Sequence, residues 1–202
     1  MAKLILLRHL QSQWNKENKF TGWTDVLLSE EGIEKASIIA DKLMAEPIDL
    51  VFTSPLVRNK NTAELVLKYL NRPDIADIKI DKAFDERNYG VWQGLDKGAV
   101  KQKYGEEEYR RLRRSWTGKP EGGESLQDVY ERVVPYYKNA IEPELRAGKN
   151  CLVVASHNSL RALAKYLENI ADEAIIDFEI PNGGVVIYEL DESLQIKNKE
   201  TR

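Results

Sequence analysis

The sequence predicts an α/β fold, a three-layer sandwich whose mostly parallel central sheet carries helices on both faces. Three observations lead there. Short apolar runs of strand length recur along the chain, as in strands covered on both sides. Between them lie stretches whose apolar residues return every three or four positions, the stripe of an amphipathic helix. The two kinds alternate, which is the order that crossover connections between parallel strands impose.

Residues 3–7 (KLILL) read as a buried strand that runs out at Arg8 and His9. Over 29–45, Ile33, Ala36, Ile39, Ala40 and Leu43 form a helical stripe with Ser29 as its N-cap. Residues 48–53 (IDLVFT) form a second strand. Ser54-Pro55 ends it, since the residue before a proline resists helical geometry, and a helix is expected over 56–70. A loop over 71–77 leads to a brief edge strand at 78–80. Helices follow over 97–104 and 106–115, the second with Glu106 facing Arg110 and Glu107 facing Arg111 as four-apart ion pairs. After a Gly/Pro loop at 117–123, Ser125 and Asp128 make a capping box for a helix reaching 147, kinked at Pro135 and Pro143 and stopped by Gly148. Residues 150–155 (NCLVVA) form another buried strand, Ser156, His157 and Asn158 a loop, 159–169 a helix and 185–190 the last strand.

A chain of 202 residues, 42% hydrophobic and 31% charged, fits one domain over 1–202, with a helical insertion near 95–123. Its single cysteine, Cys151, allows no internal disulfide and suits a reducing, cytoplasmic setting. The balance of 30 basic against 33 acidic residues leaves a net charge of −3, so no global field draws the protein to nucleic acid or an acidic membrane. Neither a membrane span nor a signal segment is expected.

Both histidines of the chain stand at the ends of strands, KLILLRH and CLVVASH. In parallel sheets ligands bind beyond the carboxyl ends of strands, so His9 and His157 can share a pocket. Imidazole beside the guanidinium of Arg8 suits phosphate: the cation gathers phosphoryl oxygens while the neutral ring attacks phosphorus. Taken alone the Arg8-His9 pair favours a structural histidine; the second histidine brings the two readings level. A metal site lacks support, because there is no third histidine, cysteine pair or HExxH spacing. Arg58 offers another guanidinium, or is a solvated helix residue. In Asp85-Glu86-Arg87 a carboxylate is available for proton transfer, against an ordinary solvated charge run. Arg110, Arg111, Arg113 and Arg114 could form a nucleic-acid patch, which the acidic run at 106–108 argues against, or a solvated stripe. No dinucleotide, NTP-binding or GxSxG serine-hydrolase motif is present.

Six segments carry a resemblance: RHLQSQWNKENKFTGWTD at 8–25, TSPLVRNKNTA at 53–63, ERNYGVWQGLDK at 86–97, RRSW at 113–116, GGESLQDV at 122–129 and HNSLRALAKYLENI at 157–170. In order, they resemble the 2,3-bisphosphoglycerate-dependent phosphoglycerate mutases of the histidine phosphatase superfamily. The resemblance implies interconversion of 3- and 2-phosphoglycerate, a glycolytic and gluconeogenic step primed by 2,3-bisphosphoglycerate without a metal. His9 would form phosphohistidine, with Arg8, Arg58 and His157 around the transferring group and Glu86 as acid and base. Ser12, Asn15 and the backbone of Asn158 would add phosphate donors. Thr21, Gly22, Arg87, Tyr89, Lys97, Arg113 and Arg114 would hold the carboxylate and the second phosphate. The partners implied are small phosphorylated three-carbon acids, with a homodimer as a candidate assembly and no nucleic acid or membrane.

The chain departs from the family pattern in places. Leu10 stands where the family has glycine after the histidine, so either its φ is negative or the loop is strained. The usual HGNS is shortened to His157-Asn158-Ser159, and an ungapped alignment would put Ser156 at the second-histidine position; the gapped reading supplies the imidazole. The segment 115–123 is short, and the chain ends soon after the last expected strand, where longer relatives carry a tail that closes the site. Water would then compete for the phosphoryl group. The alternative function is therefore a superfamily phosphatase acting on small phosphate esters.

Overall fold

In the computed structural model, which describes residues 1–75 and 77–202, the first apolar run forms strand β1 (Ala2–Arg8). Its side chains alternate between two cores. Leu4 and Leu6 join a cluster with Cys151, Val153 and Ala155, whereas Ile5 and Leu7 join another with Leu152 and Val154. A strand that is apolar on both faces needs helices on both faces. β2 (Leu50–Thr53), β3 (Lys79–Ile80) and β4 (Cys151–Ala155) run parallel to β1, with β4 beside β1 and β2 beside β4. β5 (Val185–Leu190) is antiparallel to β1 and β6 (Ile196–Thr201) antiparallel to β5, which gives the order β3-β2-β4-β1-β5-β6. The sheet is thus mixed, parallel through the part that carries the histidines.

Strand β6 is not announced by the sequence. IKNKET has one apolar residue and is almost wholly exposed, so it is held by backbone pairing along an edge, and its charges blunt that edge against further pairing. The expected loop at 71–77 includes residue 76, which lies outside the described residues.

The helices differ from expectation in instructive ways. Ser29 caps as expected, its Oγ accepting from the Gly32 N–H at 3.0 Å, but two short helices, α2 (Glu30–Glu34) and α3 (Ala36–Asp41), replace one long one after the four-residue α1 (Gln13–Lys16). Ile33 is 45% exposed while Ala36, Ile39 and Ala40 are buried, so the apolar stripe does not follow one face. α4 (Val57–Tyr69), α5 (Lys97–Tyr104) and α6 (Glu106–Arg114) form close to where periodicity places them. The four-apart pairs on α6 do not form: Glu106 pairs with Lys101, Arg110 with Asp177 and Arg111 with Glu108. Nearer or tertiary partners win because exposed ion pairs are worth little individually.

α7 (Leu126–Tyr136) opens on the expected capping box, with Ser125 and Asp128 exchanging hydrogen bonds of 2.8 and 3.0 Å. A π-helical turn, Tyr137–Ile141, then separates it from α8 (Glu142–Arg146). Pro143 has no N–H to continue an α-helical ladder across that junction. α9 (His157–Glu168) begins at His157 with the extended Ser156 as its N-cap residue, so His157 and Asn158 of the expected loop belong to the helix's first turn.

These connections position the site. β1, β4 and β2 are adjacent and parallel, with Arg8 opposite Ala155 and Thr53 opposite Val154, so the segments carrying His9, His157 and Arg58 leave the same edge of the sheet. Leu10 is 2% exposed within the core, and it is not among the residues with positive φ, so its side chain sits there without backbone strain.

Candidate active site

A cleft of about 450 Å³ opens at that edge, and both histidines line it. From the sequence-expected residues it brings together Arg8, His9, Asn15, Thr21, Gly22, Arg58, Glu86, Tyr89, Lys97, Arg113 and His157. Lys19, Phe20 and Glu179 line it as well. Lys19 and Phe20 fall inside the segment that resembles the family, while nothing in the sequence around Glu179 points to it.

His9 is 3% exposed, and its Nδ1 lies 2.6 Å from the Leu10 carbonyl oxygen. A carbonyl can only accept, so Nδ1 carries the proton and Nε2 keeps its lone pair. Burial, then the charges of Arg58 and Arg8, hold the ring well below the usual histidine range. It is therefore a neutral imidazole at pH 7, the form that can attack phosphorus. His157 is held well below that range by burial and by Arg8, Arg161, Arg114 and Arg113.

The cations are fixed by backbone carbonyls. Arg58 is fully buried and donates from Nη1 to Thr24 at 3.0 Å and from Nη2 to Gly22 at 2.7 Å. Gly22 is required here: its φ is +55°, and a Cβ would lie 2.0 Å from Oε1 of Gln93. Arg8 donates from Nη1 to the Ile180 carbonyl at 2.6 Å. Four buried polar atoms of cleft residues lack hydrogen-bond partners: Arg8 Nε, Arg58 Nε, Thr21 Oγ1 and His157 Nε2. Buried polar groups are normally satisfied, so their gathering in one cleft fits a polyoxygenated anion.

Further along, Lys97 and Arg113 lie over the Phe20 ring, at 6.0 and 5.7 Å from its centroid, and Arg113 donates to the Tyr109 hydroxyl at 2.7 Å. Burial, with Arg113 and Arg8 nearby, lowers Lys97 to about 8. An acidic group faces these cations: Glu86 is 7% exposed, and its Oε1 accepts from the Arg87 and Asn158 backbone N–H groups and from the Asn158 side-chain amide. Asn158 Nδ2 also donates to the Tyr89 hydroxyl at 3.0 Å.

Four residues expected at the ligand meet partners within the protein in this structure. Arg87 is fully buried and does not line the cleft; its guanidinium donates to the carbonyls of Glu124, Arg113, Leu112 and Gly118, ties that take four of its five N–H donors. Ser12 is fully buried as the N-cap of α1, its Oγ accepting from the Asn15 N–H at 3.2 Å. The Asn158 backbone N–H is spent on Glu86. Arg114 donates to the carbonyls of Ile176 and Phe178 and pairs with Glu179, beside the cleft lining. These ties share a reason: a buried polar group takes the nearest partner, and local backbone competes with any ligand. Ser156, the ungapped candidate, is bonded to Asn59 and does not line the cleft, whereas His157 does.

Among the described residues, no group of three or more His, Cys, Asp or Glu side chains is arranged to hold a metal ion. None of the described helices is long and apolar enough to cross a membrane.

Residues 4–198 match the histidine phosphatase superfamily (branch 1). The chain is 42% identical to the 2,3-bisphosphoglycerate-dependent phosphoglycerate mutase of Staphylococcus carnosus, across 98% of this chain and 99% of that protein. It is 41% identical to the phosphoglycerate mutase of Schizosaccharomyces pombe, across 98% and 94% of the two chains. In fold it is similar to a mycobacterial glucosyl-3-phosphoglycerate phosphatase solved with vanadate, at a TM-score of 0.84 and 24% identity, across 100% of this chain and 98% of that one.

Proposed function

The chain belongs to the histidine phosphatase superfamily, and we propose that within it the protein is a 2,3-bisphosphoglycerate-dependent phosphoglycerate mutase. The observation that carries the site assignment is the cleft in which a neutral imidazole, its Nε2 free, faces unsatisfied guanidinium, hydroxyl and imidazole groups. Such an arrangement can bind a phosphoryl group and accept it covalently. Phosphoryl transfer asks chiefly for positioning and charge neutralisation, and Arg8 and Arg58 supply both.

When bound, 2,3-bisphosphoglycerate supplies the phosphoryl group that first loads His9. Loaded His9 then gives it up to the hydroxyl of 3-phosphoglycerate: the hydroxyl oxygen bonds to phosphorus, the N–P bond breaks, and Glu86 takes the hydroxyl proton. For the return, His9 Nε2 bonds to the other phosphorus, the P–O bond breaks, and Glu86 gives the proton to the departing oxygen. The product is 2-phosphoglycerate. Three donors on Oε1 of Glu86 fix the carboxylate and leave Oε2 for that proton. Thr21, Gly22, Tyr89, Lys97 and Arg113 hold the substrate carboxylate and second phosphate. The reading carries a cytoplasmic setting with it, in keeping with a free, buried Cys151.

The test is interconversion of 3- and 2-phosphoglycerate with and without 2,3-bisphosphoglycerate, with release of inorganic phosphate followed in parallel. Dependence on the bisphosphate with little phosphate release is expected, and His9→Ala should lose both activity and an acid-labile, base-stable phosphoenzyme. Phosphate release in place of isomerisation, or full activity in the variant, would overturn the assignment.

A further inference from the structure

One side chain lining the cleft takes no part in the transfer chemistry. Glu179 lies between a 3₁₀ turn (Ala174–Asp177) and β5, on a segment whose backbone is pinned by arginines. Arg161 donates to the Ile175 carbonyl at 2.5 Å, Arg114 to Ile176 at 3.1 Å and to Phe178 at 2.9 Å, and Arg8 to Ile180 at 2.6 Å. The carboxylate itself reaches one cation of the cleft, Arg8, one beside it, Arg114, and the neutral ring of His157. Oε2 pairs with Arg114, while Oε1 lies 3.8 Å from Arg8 Nη1 and 3.2 Å from His157 Nε2. It stands where an anionic ligand of these groups would stand.

Its exposure differs from that of the residue that follows it. The Glu179 side chain is 52% exposed, whereas Ile180 is 1% exposed, so the carboxylate can turn into solvent while the backbone stays on its arginines. On the phosphoryl-transfer reading of this cleft, we propose that Glu179 is the resident anion of the site: its carboxylate occupies Arg8 and Arg114, next to His157, until an anionic ligand displaces it, and it thereby sets the affinity for phosphate. Two anions within contact distance of the same guanidinium groups repel one another, and the partly exposed carboxylate is the one that can leave at small cost. The binding-competent state is then only a fraction of the free protein, and the apparent affinity is lowered by that fraction.

Glu179→Gln preserves the shape and removes the charge. Titration calorimetry with inorganic phosphate, at one pH and ionic strength, should show the variant binding at least about fivefold more tightly than the wild type. Thermal unfolding of both proteins checks that the fold is retained. A glutamate that merely braces the arginines would give the opposite sign, since its removal would loosen them and weaken binding. Equal or weaker phosphate binding by Glu179→Gln, or no phosphate binding by either protein, would overturn the proposal. Failure of the mutase reading appears in a different assay, as absent isomerisation by the wild type, and leaves the phosphate titration readable.

Discussion

Oε1 of Glu86 accepts from the backbone and the side-chain nitrogen of Asn158 together, at 3.2 and 3.0 Å. Asn158 is the second residue of α9, so the helix that follows β4 fixes the carboxylate that is to move protons. Glu86→Gln should lower kcat by about a hundred- to ten-thousand-fold, the usual worth of a positioned acid and base. Asn158→Ala keeps the carboxylate but removes one donor, and should lower kcat about tenfold with KM little changed. Steady-state isomerisation kinetics separate the alternatives, because loss of a direct phosphate donor would raise KM instead.

Both histidines are held below their ordinary value, 6.5, chiefly by burial. Near and below that pH the unfolded chain therefore binds more protons than the folded one. Stability is full above about pH 6.5 and falls as the pH drops below it, by up to about 1.4 kcal/mol per histidine for each pH unit. His157→Asn should accordingly lose less Tm than the wild type between about pH 7 and pH 5.5. An identical loss in the two proteins would show that the ring is not buried in its neutral form.

Lys97, lowered to about 8 by burial and by Arg113 and Arg8, loses its charge at mildly alkaline pH. A bound anion holds the proton on, so the effect belongs to the free enzyme and should appear in kcat/KM as a fall above about pH 8. Lys97→Arg, whose guanidinium stays charged, should remove that limb of the profile.

Arg87 satisfies four backbone carbonyls with one guanidinium. Arg87→Met leaves those acceptors buried and unpaired, and should destabilise the fold by about 3–5 kcal/mol in urea unfolding. A variant of unchanged stability and raised KM would restore Arg87 to the ligand.

The sequence by itself determined what is local. Apolar runs of strand length alternating with helical stripes read as strands covered on both faces, Ser29 and the Ser125 and Asp128 box mark helix starts, and the strand ends carrying His9 and His157 follow from counting along KLILLRH and CLVVASH. Its errors are equally physical. Ser156-His157-Asn158 contains no apolar periodicity, so the start of α9 at His157 shows only once β4 and Glu86 are in place. IKNKET becomes a strand only because β5 offers an unpaired edge. Only the tertiary structure decided which charges meet ligand and which meet backbone: Arg87 and Arg58 are both fully buried arginines, yet one is consumed by carbonyls while the other keeps an unpaired Nε in the cleft. A guanidinium looks the same in either place along the chain, and its partner is set by acceptors that folding brings from distant segments.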